Sequence, residues 1–430
     1  MESGEKKSHS TSNVSAMSNN LEKPSNQKRS PRRKTIQNHK QVPLLLNLKE
    51  TKSNSYVLSL DLLSKKYDYY ETPKFSNKAI GPIKSYSYNT YQGLYRDYNE
   101  DKISINSLLK KPANSKLKTW PKISYFAIFD GHGGETCSEF LEENFLKYLT
   151  ENKNFPYDIK QSLIEAFEKA ENEFFKIFCK NSEQVSDYSG SCALVAIIFD
   201  NKIYLANIGD SRAIMSINGG TKVKQLTLDH KPNNIKEFER AIKNGSKVYL
   251  DDNDDLDRDV SKIEFIKDKK MLEKIIEKKG KNDKDDDEEK IFRVYPSDLA
   301  VMRTIGDIRA KKKEYGGIPG TIINTPEIFI YDINCNDDFI VMGCDGIFDD
   351  LSNHEICSAV WKVLKNRGSE KNYDIHELSM EACDIVIKYS LEKKSTDNLS
   401  CIIIGLEGIE NFLKNSQIKR KLNNSIKNNK

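Results

Sequence analysis

The sequence has no apolar run long enough to cross a bilayer. Its best candidate, Ala193 to Phe199, falls far short of the roughly 18 residues a span requires. The stretch from Met1 to Ser30 is polar throughout, so no secretory signal is expected. Residue 2 is Glu2 rather than glycine, so the N-myristoylation motif is missing. The eight cysteines contain no Cys-x-x-Cys pair, which argues against zinc-ribbon and thioredoxin-type chemistry. Reduced thiols in the cytoplasm or nucleus are the expectation. A dominant charge is also lacking: 68 basic residues face 64 acidic ones, for a net +4. That excludes a uniformly basic nucleic-acid binder. The apolar share is 37%, against roughly 45–50% for an average globular chain, so part of the 430 residues belongs to no core.

The deficit is local. Residues 1–40 hold nine Lys/Arg, three Glu and many Ser and Asn, a composition that cannot offset chain entropy. Within them, Gln27 to Lys34 fits a nuclear localisation signal, a phosphorylation site or a solvated tail. Residues 1–80 are expected to be a mostly disordered basic extension, and residues 411–430, with six Lys/Arg and no acid, a second basic tail. Removing six charges at each end leaves about −8 for the body. From Asp251 to Lys290 there are 16 acidic and 11 basic residues, which predicts a solvated insertion; a short helix across 260–279 has only Ile263, Ile266, Leu272, Ile275 and Ile276 to dock it.

The remainder reads as α+β. Tyr125 to Phe129 is a short apolar strand, Ser191–Phe199 and Lys202–Ile208 form a hairpin around Asp200-Asn201, and Phe339–Cys344 and Leu399–Leu406 are buried strands. Leu163, Phe167, Ala170, Phe174 and Ile177 make one helical stripe. Residues Glu135–Leu149 and Ile375–Glu392 are similar.

The chemistry lies where these strands end. Asp130 follows FAIF, Asp210 follows LANIG, Asp345 follows FIVMGC, Asp397 precedes NLSCIII, and Glu100-Asp101 precedes KISI. An acid at the mouth of an apolar strand is costly unless it is solvated or paired with a cation. Several converging on one end of a sheet would repel one another, and Mg²⁺ or Mn²⁺, which prefer oxygen ligands, would relieve that. One Asp-Gly alone is a turn; five such sites favour a carboxylate-bound metal centre.

In order, YRDYNED (95–101), FAIFDGHGG (126–134), SGSCALVA (189–196), LANIGDSRA (205–213), LTLDHKP (226–232), LAVMRTIGD (299–307), GCDGIFDDLSN (343–353) and STDNLS (395–400) resemble the metal-dependent protein phosphatases of type 2C. The resemblance covers residues 81–408 and implies a catalytic domain over 81–410. It implies a four-layer αββα sandwich of two mainly antiparallel sheets flanked by helices. It also implies hydrolysis of phosphoserine and phosphothreonine in proteins by a metal-activated water, with no phosphoenzyme. Two Mg²⁺ or Mn²⁺ ions occupy the family's core site, with a weaker third site beside them.

By the same resemblance, Asp130 bridges the two central ions. The Gly131 carbonyl and Glu100 complete one ion's ligands, Asp345 and Asp397 hold the other, and Asp101 orients water behind them. Asp210 and Asp349, with Asp345, match the third site. Arg96 matches the arginine that grips the substrate phosphate, as a planar fork suits it. His132 matches the general acid that protonates the leaving alkoxide. Asp307 resembles a structural acid and His230 a turn cap. Cys192, Met302 and Phe348 stand where the family usually has Thr, Ser and Trp. These changes are expected to lie away from the metal carboxylates and to affect packing only. The insertion falls where the family has a shorter flap. Expected partners are phosphoproteins, with no nucleic acid and no membrane insertion, and a monomer is expected. The rival readings are a catalytically dead scaffold, which normally lacks metal acids, and a two-metal nuclease, which would favour a basic groove.

Overall fold

The computed structural model describes residues 70–428, apart from 114, 116, 180–184, 252–262, 280–290 and 369–372. Residues 1–69, including Gln27 to Lys34, lie outside the described residues.

Two antiparallel sheets face each other. One has the order β1-β2-β17-β16-β9-β10: β1 (Lys74–Phe75), β2 (Ser85–Tyr91), β17 (Leu399–Gly405), β16 (Asp337–Gly343), β9 (Arg212–Ile217) and β10 (Lys222–Gln225). The other has the order β15-β8-β7-β4-β3: β15 (Glu327–Asp332), β8 (Lys202–Ile208), β7 (Ala193–Phe199), β4 (Ile123–Phe129) and β3 (Lys102–Asn106). Central strands are apolar at every position because both their faces are covered. Along β4 the side chains alternate. Phe126 and Ile128 enter the core between the sheets, with Leu194, Ala196, Ile340, Met342 and Ile402. Tyr125, Ala127 and Phe129 enter the core beneath the helices.

That outer core is closed by α1 (Thr136–Thr150) and α2 (Ile159–Phe178) through Phe145, Leu163, Phe167 and Phe174. On the opposite outer face, α7 (Asn353–Arg367) and α8 (Ile375–Glu392) bring Ile356, Val360, Leu378 and Val386 onto the six-stranded sheet. Ser352 and Glu355 form a reciprocal capping box at the start of α7, and Asp158 and Asp374 cap α2 and α8. The four layers of helix, sheet, sheet and helix are those the resemblance implies.

Three expectations are corrected. The insertion is not wholly solvated. Helices α3 (Ile235–Lys243) and α4 (Lys269–Lys279) pack with a small sheet of β12 (Phe265–Ile266), β11 (Lys247–Asp251) and β13 (Ile291–Tyr295). Phe238, Val248, Ile266, Leu272, Phe292 and Met302 form a separate core there. Leu272 is fully buried, which contributes about 1.5–3 kcal/mol. The ordered body also begins before residue 81: Tyr70 is buried and donates a hydrogen bond to Asp384. Finally, the basic C-terminal stretch is not a free tail from 411. Helix α9 (Glu407–Asn428) buries Ile409 and Leu413, and Phe412 meets Trp361 edge-on.

Candidate active site

Antiparallel pairing carries the acids to one end of both sheets. Lys102 pairs with Phe129, so Asp101, just before β3, sits beside Asp130, just after β4. Ala193 pairs with Ile208, which brings Asp210 to the same end. Gly343 pairs with Cys401, placing Asp345 and Asp397 together across β16 and β17. Helix α6 (Asp345–Phe348) then leads the chain away. A third short sheet, β14 (Ile305–Gly306), β6 (Gly190–Ser191) and β5 (Gly131–His132), completes the site, and α5 (Ile308–Lys311) follows it.

That short sheet sets the position of His132. Asp307 directly follows β14, and its Oδ2 lies 2.8 Å from His132 Nε2. A Cβ at Gly190 would lie 2.1 Å from Asp307 Oδ2 and 2.5 Å from His132 Nε2, so only glycine leaves room for the pair. Asp307 itself has φ +53°, a left-handed conformation that Asp tolerates better than most residues. Burial lowers the His132 pKa, but the charge and hydrogen bond of Asp307 outweigh it and the net shift is upward.

Arg96 Nη2 donates to Asp397 Oδ2 at 2.6 Å, its Nε donates to the Thr396 carbonyl, and Nη1 lies 3.8 Å from Glu100 Oε2. Glu100 Oε1 accepts the Gly134 N–H at 2.6 Å. Asn398 locks this corner. Its Oδ1 accepts the Glu100 N–H, and its Nδ2 donates to the Gln92 and Tyr98 carbonyls.

The acids strain one another electrostatically. Burial, then the charges of Asp345, Asp101, Asp210 and Asp397, hold Asp130 well above the carboxylate range. Burial, then Asp397, Asp210 and Asp349, do the same to Asp345. Asp101 is pushed up to about 7, chiefly by burial, and its Oδ2 has no hydrogen-bond partner among the described residues. Burial also raises Glu100, against the opposing Gly134 hydrogen bond. A partly buried, mutually repelling set of carboxylate oxygens with an unpartnered buried oxygen of Asp101 among them fits a hard divalent cation.

A pH dependence follows. These acids bind protons more tightly folded than unfolded, so their stabilising contribution is full below the unfolded pKa and is lost as pH rises through the folded one. The metal-free protein should therefore become less stable between about pH 4, the ordinary carboxylate value, and about 7, where Asp101 titrates. Thermal melts in chelator check this. Mn²⁺ should raise the melting temperature more at the upper end of that window than at the lower. A Mn²⁺ shift that shrinks as pH rises would contradict the electrostatic account.

The site departs from expectation at Cys192. It does not lie away from the metal carboxylates: its Sγ is 3.5 Å from Asp210 Oδ1. One ligand atom each from Asp130, Cys192 and Asp210 lies within 4.8 Å of the others. The reason is register, since Cys192 N–H donates to the Asp130 carbonyl just before β7 begins. Phe348 lies under the guanidinium of Arg212, 4.9 Å from its ring centroid, and Met302 is buried beneath α3. His230 is buried and lies 3.3 Å from Glu327.

The protein phosphatase 2C family model matches residues 95–399, more than half of the chain. The chain belongs to the protein phosphatase 2C family. It is 26% identical over 281 residues to probable protein phosphatase 2C 27 of Arabidopsis thaliana, a match covering 65% of this chain and 58% of that protein. It is 26% identical over 301 residues to protein phosphatase 2C homolog 2 of Aspergillus fumigatus, covering 69% and 58%. The chain thus spans less than two thirds of the length of these relatives. Two solved structures share its fold. A C. elegans sex determining protein superposes with TM-score 0.56 at 20% identity, covering 80% of this chain and 69% of that one. A serine-threonine phosphatase 2C from Toxoplasma gondii superposes with TM-score 0.53 at 17% identity, covering 78% and 100%.

Within this phosphatase 2C fold, Glu100, Asp101, Asp130, Gly131, Asp345 and Asp397 come together with Arg96 and His132. Asp210 is buried beside Asp130, and Lys231 joins it to Asp349, which is the more exposed of the two. Sequence reasoning assigned no role to Lys231 or Asn398 and did not pair Asp307 with His132. The DHKP and STDN motifs contain two of these residues, but their contacts are long-range.

Proposed function

We propose that this chain hydrolyses phosphoserine and phosphothreonine monoesters in proteins with Mg²⁺ or Mn²⁺ held by its strand-end carboxylates. The observation that carries the reading is the convergence of five carboxylates beside one guanidinium and one carboxylate-paired imidazole. Asp130, Glu100 and the Gly131 carbonyl, with Asp345 and Asp397, would hold the ions. When bound, such ions activate a water at neutral pH and neutralise phosphoryl oxygens.

The chain's own residues supply the rest. On one edge of the Arg96 fork, Nε is engaged by the Thr396 carbonyl and Nη2 by the Asp397 carboxylate in the structure. A phosphate dianion entering the cleft replaces that partner with a charge-assisted pair of its own. His132, whose pKa Asp307 raises against burial, can deliver a proton to the seryl or threonyl oxygen as the P–O bond breaks. A serine alkoxide leaves poorly without that proton. No metal acid expected from the family pattern is missing, which disfavours a dead scaffold, and the acidic body disfavours a nuclease. Among the described residues, no helix is long and apolar enough to cross a membrane.

The full chain should be offered a phosphoserine or phosphothreonine peptide, a phosphotyrosine peptide and DNA, each with Mn²⁺. Phosphate release from the first and no cleavage of DNA is the expected result. Cleavage of DNA with intact phosphopeptide would replace this reading with the nuclease one.

A further inference from the structure

The outer acids of the site already hold a cation that belongs to the chain. Lys231 Nζ lies 2.8 Å from Asp349 Oδ1 and 3.4 Å from Asp210 Oδ2. Asp210 is 4% exposed and cannot rely on water for neutralisation. Its other oxygen faces the Cys192 thiol. Among the described residues, the Lys231 ammonium is the cation seen within 4 Å of Asp210, with Arg212 farther off.

The backbone fixes Lys231 in place. The His230 N–H donates to the Gly209 carbonyl, and the His230 carbonyl accepts from the Met302 N–H. The segment carrying Lys231 is therefore stitched to the residue just before Asp210 and to the chain leading to β14. Gly209 has φ +89°, and a Cβ there would lie 2.1 Å from Cys192 Sγ. Its conformation turns the chain so that Asp210 points between thiol and ammonium. The fold thus fixes the backbone of Lys231, whose side chain is 27% exposed.

We infer that Lys231 is a tethered cation of the outer carboxylate pair Asp210–Asp349 and competes there with a third divalent ion. This inference rests on the metal-dependent reading above. A monovalent ammonium satisfies two carboxylates only in part, whereas a divalent ion neutralises both. An incoming ion must first displace the ammonium, and the displaced charge then stays within a few ångströms and repels it. The outer site is therefore weak by construction, and its occupancy responds to ion concentration in a range where the core site is already filled.

The test counts ions directly. Full-length protein is titrated with Mn²⁺, and free Mn²⁺ is read by its electron paramagnetic resonance signal, alongside calorimetry. Wild type should show its core ions, with the outer ion at least about tenfold weaker. Lys231→Met, and Lys231→Gln as a second neutral variant, should tighten the outer ion by about tenfold or more. Lys231→Arg, which keeps the charge, should behave as wild type. Adding Asp349→Asn to Lys231→Met should abolish the gain. Unchanged Mn²⁺ binding in folded neutral variants, judged by their melting curves, overturns the inference. So does an equal gain in the arginine variant. If wild type binds no Mn²⁺ at all, the metal-dependent reading fails first, and that outcome is distinguishable from the other two.

Discussion

Asp130→Asn should lower phosphopeptide turnover by about a thousandfold or more, since losing several kcal/mol of charge stabilisation costs a decade per 1.36 kcal/mol. The substitution keeps shape and hydrogen-bonding capacity but removes the charge at the centre of the cluster. Four neighbouring acids contribute to the raised pKa of Asp130. Removing its charge therefore relieves repulsion in the metal-free protein. The variant should melt higher than wild type in chelator and respond less to Mn²⁺. A residue kept at the expense of stability is what a functional site predicts. Retention of more than about a tenth of wild-type turnover, roughly 1.4 kcal/mol, at saturating Mn²⁺ would remove Asp130 from the centre of the site.

His132→Ala should slow hydrolysis of a phosphoserine peptide by about 10²–10⁴-fold, the usual range for a general acid. A phenolate needs little protonation, so p-nitrophenyl phosphate should lose only a few-fold. Asp307→Asn should show a smaller loss with the same dependence on leaving group, because it weakens the charge pair at 2.8 Å without removing the imidazole. The double variant should be no slower than His132→Ala, as the two residues act as one unit. Equal losses on both substrates would show that His132 positions and does not protonate.

Much of the molecule was legible in the sequence because the relevant signals are local. Seven-residue apolar strands ending in an acid predict both the strands and the carboxylate cluster. The alternation along β4, with odd residues under helices and even residues between sheets, follows from period two alone. What stayed hidden depends on long-range register. His132 and Asp307 are separated by 175 positions, and Lys231 and Asp349 by 118. No spacing rule reports such pairs.

Cys192 was misplaced because its neighbours Ser191 and Ala193 read as strand, and nothing local says that the strand begins at the Asp130 carbonyl. In the insertion, Ile266 and Leu272 stood out as apolar positions able to dock a short helix, but the density of charge hid the core they join. Two apolar anchors suffice there, because α3 and Met302 supply the rest of the core. The same masking occurs in α9. Its basic composition suggested a tail, yet Ile409 and Leu413, four apart, lie on the face turned to the core.

The central claim is that the converging carboxylates bind divalent ions on which phosphomonoester hydrolysis depends. The most direct measurement is phosphate release from a phosphothreonine peptide by the full chain, first stripped with chelator and then titrated with Mn²⁺ or Mg²⁺. The account predicts no turnover when stripped and full recovery on adding either ion, with no phosphate left on the protein. Turnover that persists through complete metal removal, or a phosphorylated protein trapped on quenching, would contradict it.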